Sequence, residues 1–212
     1  MIKLEHFVVS DFGVNSFVLY DETAECVIID PGFYSRNERE KLTDFIAENN
    51  LTPVKVLNTH CHVDHVFGNR FIITTYNIPL LANKADEFLL SNLSSFANIF
   101  GLSAEQSPGI DQYINDGDPV AFGKSSLLVI HVPGHSPGSL AFYNKEGNFL
   151  IAGDTLFKGS IGRTDLPGGD YDTLISNIRN KLLSLPPETV VYPGHGSSTS
   201  IKDEHDTNPF LK

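Results

Sequence analysis

Short apolar runs alternate along the chain with longer stretches in which apolar residues recur every three or four positions. The short runs are bounded by polar or glycine-containing turns and are rich in β-branched and aromatic residues, which is typical of β-strands. Two of them flank the polar turn Asp21–Glu25 near the amino terminus. The predicted strands are Phe17–Tyr20, Cys26–Ile29, Pro53–Asn58, Ile78–Leu81, Leu127–Val132, Ser139–Tyr143, Phe149–Ala152 and Thr189–Tyr192.

The longer stretches predict helices. Asp170–Leu185 has the clearest helical pattern, and the proline pair at Pro186 ends it. Arg36–Asn50 has an apolar face at helical spacing, formed by Leu42, Phe45 and Ile46. Further helices are predicted over Val66–Asn77, Lys84–Gly101 and, as a short polar helix, Ser200–Asp206.

The order of these elements predicts an α/β protein. Strands and helices alternate, but hairpin-like stretches are also present, which favours mixed sheets covered by helices over a purely parallel sheet. No stretch has the composition of a linker and no short repeat is found, so we expect one domain over residues 1–212.

Composition and charge narrow the classes of function. The net charge of −11 argues against a nucleic-acid partner, because phosphate contacts need a basic surface. No apolar run approaches the ~20 residues that span a membrane, and charged residues interrupt the amino terminus where a signal peptide would be apolar. The 2 cysteines cannot form a disulfide framework. We therefore expect a soluble, cytoplasmic protein without a membrane partner.

One pattern recurs at the ends of the predicted strands, where a small turn presents a side chain that can bind metal. The heptapeptide THCHVDH at Thr59–His65 follows one strand and is the densest example. The other strand-end residues are His135, Asp154 and His195. Side chains at the strand ends of a rigid sheet are where α/β folds place ligand sites.

The spacing of these residues predicts two metal ions. His60 and His62 point the same way in an extended segment, and His135 completes a first set. Asp64 and His65 lie where the chain turns, and His195 completes a second set. Asp154 bridges the two ions, since a carboxylate has two oxygens.

Each predicted ion keeps a position for water, and imidazole with carboxylate suits Zn²⁺, and also Fe or Mn. Ions roughly 3.5–4 Å apart form the kind of site that generates hydroxide at neutral pH. The alternatives are ordinary surface or core histidines, and a structural zinc site, although the cysteines are not spaced for the latter.

Four motifs in this order resemble the metallo-β-lactamase fold hydrolases: THCHVDH, PGH at Pro133–His135, GDTLF at Gly153–Phe157 and PGHG at Pro193–Gly196. The resemblance spans nearly the whole chain and implies a four-layer αβ/βα sandwich with metals at the edge between two mixed β-sheets. Asp30 in IIDPG matches a further landmark of the family. It is expected either to hydrogen-bond a ligand histidine or to initiate a turn.

The closer resemblance is to the glyoxalase II-like branch, on the loop GDTLFKGSIGRTD at Gly153–Asp165 and on NPF at Asn208–Phe210. That branch hydrolyses thioesters of hydroxyacylglutathione. Its larger members carry a carboxyl-terminal helical domain that helps to bind glutathione. This sequence ends at Lys212, shortly after PGHG, so we expect that domain to be missing. The resemblance implies thioester hydrolysis, and the identity of the substrate stays open.

The resulting hypothesis is a hydrolase in which a hydroxide held by two metal ions attacks the carbonyl carbon of a small-molecule thioester. Asp64 is the predicted catalytic residue, because it would both bind metal and orient the hydroxide. The alternatives left open are a persulfide dioxygenase with one iron, a lactonase on the same fold and a metal-binding protein without enzymatic activity. The acyl group, the thiol carrier, the metal and the oligomeric state stay open.

Two residues outside the predicted ligand set, Arg163 and Cys61, have two interpretations each. Arg163, in the loop after Asp154, is expected either to anchor substrate or to form a surface ion pair with Asp165. Cys61 lies between two predicted ligands and should face away from them, which favours a small buried side chain over a nucleophile.

Overall fold

The first half of the chain builds a mixed sheet. Its strands are β1 (Lys3–Val9), β2 (Val14–Tyr20), β3 (Glu25–Ile29), β4 (Thr52–Leu57), β5 (Leu80–Ala82) and β6 (Gln112–Tyr113), adjacent in that order. The pairs β1–β2 and β2–β3 are antiparallel, whereas β3 to β6 run parallel. These assignments come from a computed structural model that describes residues 1–99 and 101–212.

The second half builds another mixed sheet and a small hairpin. Its strands are β7 (Pro119–Phe122), β8 (Ser125–His131), β9 (Leu140–Asn144), β10 (Phe149–Gly153), β11 (Leu156–Phe157), β12 (Ser160–Ile161), β13 (Val190–Pro193) and β14 (Thr199–Ser200). The sheet has the order β14-β13-β10-β9-β8-β7, while β11 pairs only with β12. β10 and β13 are parallel, and every other neighbouring pair is antiparallel.

Helices cover the outer face of each sheet. They are α1 (Arg36–Glu48), α2 (Asn69–Tyr76), α3 (Glu87–Ser91), α4 (Leu93–Ile99), α5 (Tyr171–Asn177) and α6 (Ile201–Thr207). Ser35 caps α1 by accepting from the Glu38 amide, and the Glu38 carboxylate accepts from the Ser35 amide in return. This capping box fixes where the helix begins. None of the helices in the described ranges has the length and apolar character needed to cross a bilayer.

Three apolar layers hold the four layers of secondary structure together. One lies between the two sheets and includes Phe17 and Leu57 of the first sheet, which pack against Phe142 and Ile151 of the second. The first four helices pack on the outer face of the first sheet. α5, α6 and the π-helical turn Ile178–Leu182 pack on the outer face of the second. The architecture is therefore the αβ/βα sandwich with two mixed sheets that the sequence predicts.

The predicted strands are confirmed, and the helices differ in three places. The helix predicted over Asp170–Leu185 is an α-helix only to Asn177 and continues as the π-helical turn, because its backbone bonds change to i→i+5 spacing, as from Leu183 N to Ile178 O at 2.9 Å. The helix predicted over Val66–Asn77 begins only at Asn69, because Val63–His65 forms a 3₁₀ turn and the Gly68 amide donates to the Pro31 carbonyl. The stretch predicted over Lys84–Gly101 is a 3₁₀ turn followed by two short helices that break at Asn92, and its residue Phe100 lies outside the described residues. The one-domain interpretation stays a prediction.

Candidate metal centre

The predicted ligands lie at one end of the sandwich, where strands of both sheets end. Strands β8, β10 and β13 run in the same direction, so the residues that follow them meet at one edge of the second sheet. The first sheet supplies Asn58–His65 after β4. Backbone hydrogen bonds join the two sheets here, from Leu140 N to Thr59 O at 2.7 Å and from Asn15 N to Gly194 O at 2.7 Å.

Small residues allow the chain to approach the site closely. A Cβ atom at Gly194 would lie 2.0 Å from Oδ1 of Asp154 and 2.8 Å from Cε1 of His65. Any other residue at this position would therefore displace two side chains of the centre. The glycine before His195 is thus required by the site itself.

The first cluster consists of His60, His62 and His135, whose ligand atoms lie within 4.8 Å of one another. Nδ1 of His62 is 2.9 Å from Nε2 of His135. The rings of His60 and His62 are nearly perpendicular, with centroids 4.8 Å apart. His60 and His135 are each only 2% exposed, and His62 is half-buried, so most of this half of the centre is shielded from solvent.

The second cluster consists of Asp64, His65 and His195, which also lie within 4.8 Å of one another. Nε2 of His195 is 3.2 Å from Nε2 of His65 and 3.3 Å from Oδ2 of Asp64. The His65 side chain is fully buried, whereas 28% of the His195 side chain is exposed. This half of the centre therefore faces the solvent.

Asp154 lies between the two clusters. Its Oδ2 is 3.6 Å from Nε2 of His135 and 3.5 Å from Nε2 of His195, and its Oδ1 is 3.5 Å from Nε2 of His65. One carboxylate therefore reaches both groups of ligands. The structure thus brings all seven predicted ligand side chains together, and their roles as ligands stay a prediction.

The donor set fits a pair of divalent cations. Within residues 1–99 and 101–212, Nε2 of His60, Nε2 of His62 and Oδ1 of Asp154 are buried without a hydrogen-bond partner. Unpartnered buried polar atoms are costly, and each such atom in a native site calls for a ligand or another explanation. Imidazole nitrogens with carboxylate oxygens are the donors that Zn²⁺, Fe and Mn share.

Burial and nearby charges shift the pKa values of histidines in the two clusters in opposite directions. Burial lowers the pKa of His60 well below that of an ordinary histidine, and burial with the nearby His135 lowers the pKa of His62 to about 3. These imidazoles are neutral and free to donate electron pairs. Burial also acts on His65, but the carboxylates of Asp154 and Asp64 outweigh it and raise the pKa of His65.

Groups behind the centre contact three imidazoles at the nitrogens that face away from it. Nδ1 of His135 is 2.7 Å from the Arg163 carbonyl, and Nδ1 of His195 is 3.0 Å from the Phe12 carbonyl. Nδ1 of His60 lies 3.1 Å from Thr59 Oγ1. Contacts of this kind turn the other nitrogen toward the centre.

Asp30 fulfils both interpretations of the IIDPG motif. Its Oδ2 is 3.1 Å from Nδ1 of His65, and its Oδ1 accepts a 2.6 Å hydrogen bond from the Thr59 amide. Its own carbonyl accepts from the Gly32 amide at 2.7 Å, which closes the turn. Because both carboxylate oxygens already have protein partners, we assign Asp30 to orienting His65.

Sequence reasoning missed Asp86, a fully buried carboxylate that ties two of the ligand loops together. Its Oδ2 accepts from the Cys61 amide at 3.0 Å and from Oγ of Ser136 at 2.8 Å. Its Oδ1 accepts from the Gly138 amide at 2.6 Å. In the sequence Asp86 stands among charged residues near a predicted helix start, where an aspartate is unremarkable, so no local signal marks it.

A cavity of about 390 Å³ opens above the clusters. Its floor is formed by ligand side chains, and its walls include Phe12, Phe96, Phe157 and Leu166. Cys61 reaches the cavity, but burial raises the pKa of its thiol well above the ordinary value, which keeps it from acting as a thiolate nucleophile. Arg163 also lines the cavity, where its guanidinium pairs with both oxygens of Asp165 at 2.7 Å.

Comparison with known proteins gives one family. The sequence matches the family described as "Metallo-beta-lactamase superfamily" over residues 9–195. It is 37% identical over 217 residues to "Hydroxyacylglutathione hydrolase GloC" of Haemophilus influenzae, covering 99% of this chain and 98% of the relative. It is 35% identical over 212 residues to "Probable metallo-hydrolase YqgX" of Bacillus subtilis, with the same coverage.

Two solved structures share the fold over nearly the whole chain. "Crystal structure of BLEG-1 B3 metallo-beta-lactamase" superposes with a TM-score of 0.91 at 35% identity and covers 99% of this chain and 100% of that one. "Crystal structure of TTHA1623 in a di-iron-bound form" has a TM-score of 0.89 at 37% identity and covers 98% and 100%.

Proposed function

This chain belongs to the metallo-beta-lactamase superfamily, and we propose that it is a thioester hydrolase dependent on two divalent metal ions. The proposed substrate is a small-molecule thioester of the hydroxyacylglutathione type, hydrolysed to a carboxylic acid and a thiol. We retain the cytoplasm as the proposed location and expect no nucleic-acid partner.

The observation that carries the proposal is the pair of clusters that share Asp154 beneath an open cavity. His60, His62 and His135 would hold one ion, and a second would be held by Asp64, His65 and His195. The completeness of the second set favours two ions over the single iron of a persulfide dioxygenase. When bound, such a pair supplies Lewis acidity and hydroxide at neutral pH.

The chain's own residues then position the reactants. Asp64 lines the cavity with 20% of its side chain exposed, so it can both contact an ion and orient a water molecule toward the carbonyl carbon. His62, His135 and His195 also face the cavity and fix the floor on which the carbonyl group would rest. These contacts supply orientation, which is a large part of the advantage of a bound reactant over a free one.

The cavity lining favours a leaving group that departs without strong acid catalysis. Apart from the proposed ligands, the described lining residues include no histidine, lysine or tyrosine that could protonate an amine or alkoxide. A thiolate leaves readily without such a donor. This supports a thioester, and it agrees with the name of the Haemophilus influenzae relative.

The test combines metal analysis with a substrate panel. Purified protein should contain two zinc or iron ions per chain and hydrolyse S-lactoylglutathione faster than simple lactones. Chelation should abolish the activity and added metal should restore it. Hydrolysis that survives in metal-free protein would contradict the proposal. One iron per chain, with oxygen consumption and sulfite production from glutathione persulfide, would replace it with a dioxygenase.

A further inference from the structure

We propose, on the basis of the thioester hydrolase function, that the cavity binds the acyl group of the substrate and selects apolar acyl chains over chains that carry a carboxylate. The acyl chain is the part of the substrate that lies on the opposite side of the reacting carbonyl from the thiol. The composition of the cavity walls supports this selectivity, as does the state of Arg163, the one lysine or arginine among the described lining residues.

Two apolar walls face each other across the cavity. One comes from the helices over the first sheet, with Leu89 of α3 and Phe96 of α4, and α4 packs against the turn that carries Val63. The other comes from the loop after Asp154, with Phe157 and Leu166. Walls of this kind gain free energy from burying methylene groups and give a charged group nothing to pair with.

Arg163 does not offer a free positive charge. Its Nε and Nη2 each donate to an oxygen of Asp165 at 2.7 Å, and this planar pairing occupies the face that would bind a substrate carboxylate. The Arg163 carbonyl is engaged as well, because it faces Nδ1 of His135. In a chain with a net charge of −11, no lysine or second arginine lines the described part of the cavity, so a carboxylate at the end of the acyl chain away from the metal centre would stay unpaired.

The acyl group of the substrate occupies the cavity, because the charged thiol carrier does not suit its apolar walls. Glutathione carries two carboxylates and an ammonium group, and all three need polar partners or water. The apolar walls provide neither, so the thiol carrier must lie toward the solvent, on the side of His195 and Phe12, where 28% of the His195 side chain is exposed. A volume of about 390 Å³ lies within the range of small-ligand pockets and exceeds what an acetyl group needs.

The experiment uses a series of thioesters with one thiol, so that binding of the carrier cancels. S-acetyl-, S-butanoyl-, S-hexanoyl- and S-adipoylglutathione are compared by kcat/KM with the metal-loaded enzyme. We expect kcat/KM to rise by about fourfold for each added methylene until the cavity is full. Adipoyl has the length of hexanoyl but ends in a carboxylate, and its kcat/KM should be at least about tenfold lower.

Three variants locate the effect. Phe96→Ala should flatten the rise with chain length, whereas Ile99→Ala, on the same helix but 74% exposed and outside the cavity, should leave it unchanged. Leu166→Ala tests the opposite wall without disturbing the helix. Asp165→Asn frees Arg163 and should narrow the difference between hexanoyl and adipoyl by about threefold, within the range of exposed ion pairs.

The results distinguish a failure of the proposed acyl selectivity from a failure of the proposed thioester hydrolase function. If all four thioesters are hydrolysed with equal kcat/KM, or adipoyl is preferred in the wild-type enzyme, the acyl selectivity is wrong while the thioester hydrolase stands. An unchanged ratio in Asp165→Asn would overturn the role given to the ion pair. If no thioester is hydrolysed at all, the proposed function fails, and the inference fails with it.

Discussion

Each end of the sandwich has an aspartate with little solvent exposure, but the carboxylate oxygens of Asp21 and Asp154 differ in their hydrogen-bond partners. At the end away from the metal centre, Asp21 stands in the turn between β2 and β3 and reaches the turn between β7 and β8. Its Oδ1 accepts from the Thr23 amide and hydroxyl, and its Oδ2 accepts from the Lys124 amide and the Ser125 hydroxyl, all at 2.6–2.9 Å. Every oxygen of this carboxylate has partners within the protein.

At the other end, Asp154 and the histidines around it leave polar atoms without partners. Oδ1 of Asp154 and Nε2 of His60 are buried and have no hydrogen-bond partner in the part of the chain that the structure describes. Leaving such atoms unpaired costs free energy that the Asp21 end avoids. The difference teaches how to distinguish a structural polar cluster from a binding one: the structural cluster is complete, whereas the binding cluster lacks a partner that must come from outside.

The largest effect on metal content and activity is expected for Asp154→Asn, at the end of the sandwich that carries the metal centre. An amide cannot bridge two cations as a carboxylate does, so bound metal should fall below two ions per chain and kcat should fall by roughly a thousandfold. Metal analysis and S-lactoylglutathione hydrolysis measure the two effects. Asp21→Asn is the matched control at the complete end and should keep both ions. Full metal content in Asp154→Asn would refute the bridging role.

A smaller effect is expected for Asp86→Asn, which changes a satisfied carboxylate behind the metal centre. The new amide would present a donor to the Cys61 amide or to Ser136, so the loops that carry His62 and His135 should loosen. Metal affinity should drop by about 10- to 100-fold, as is usual when a group behind a ligand is lost.

Saturating metal distinguishes positioning by Asp86 from general damage. If Asp86 only positions the loops, excess metal should restore most of kcat in Asp86→Asn. A variant that binds metal as tightly as the wild type would show that Asp86 matters for packing alone. Chelator competition gives the affinity, and thermal unfolding of the metal-free protein gives the packing contribution.

The residues that sequence reasoning recovered are those whose signal is local. THCHVDH and the turns before His135, Asp154 and His195 each combine an apolar strand with a metal-capable side chain, and strand ends in one direction must meet at one edge. Asp21 and Asp86 gave no such signal, because the amides and hydroxyls that they connect across the fold lie far along the chain, and many residue types can supply them. The carbonyls of Phe12 and Arg163, which orient two histidines, are likewise independent of residue type.

The helix breaks were missed for a related physical reason. Apolar periodicity reports which side chains are buried, and Leu89, Leu90 and Leu93 are buried as the pattern requires. It does not report the local backbone geometry, which changes at Asp86, the last residue of a 3₁₀ turn, and at Asn92, whose side-chain amide donates to the Phe88 carbonyl. Periodicity therefore predicted the layers correctly and the helix boundaries less well.

A third prediction concerns the stability of a variant whose substitution lies away from the metal centre. Asp21→Asn places an NH₂ group opposite donors that the carboxylate accepts, so the free energy of unfolding should fall by about 1–3 kcal/mol. Urea unfolding of metal-free protein measures this loss, and kcat of the loaded enzyme should stay unchanged. The control Asp44→Asn removes an exposed carboxylate on α1 and should change stability by less than about 0.5 kcal/mol. A loss of activity in Asp21→Asn would mean that the two ends are coupled.

The smallest effect is the pH dependence of that stability difference. Burial alone would raise the pKa of Asp21, but the hydrogen bonds from Thr23, Ser125 and Lys124 outweigh it and hold the pKa well below the usual range. A carboxyl group whose folded pKa is depressed contributes stability above its unfolded pKa of about 3.9 and loses it as the pH falls toward the folded value. The gap between wild type and Asp21→Asn should therefore be constant from pH 7 to about pH 5 and narrow below about pH 4. Urea unfolding at pH 7, 5 and 3.5 checks this. If the difference in the free energy of unfolding is the same at pH 3.5, the charge of the Asp21 carboxylate does not cause it, and the geometry of the hydrogen bonds does.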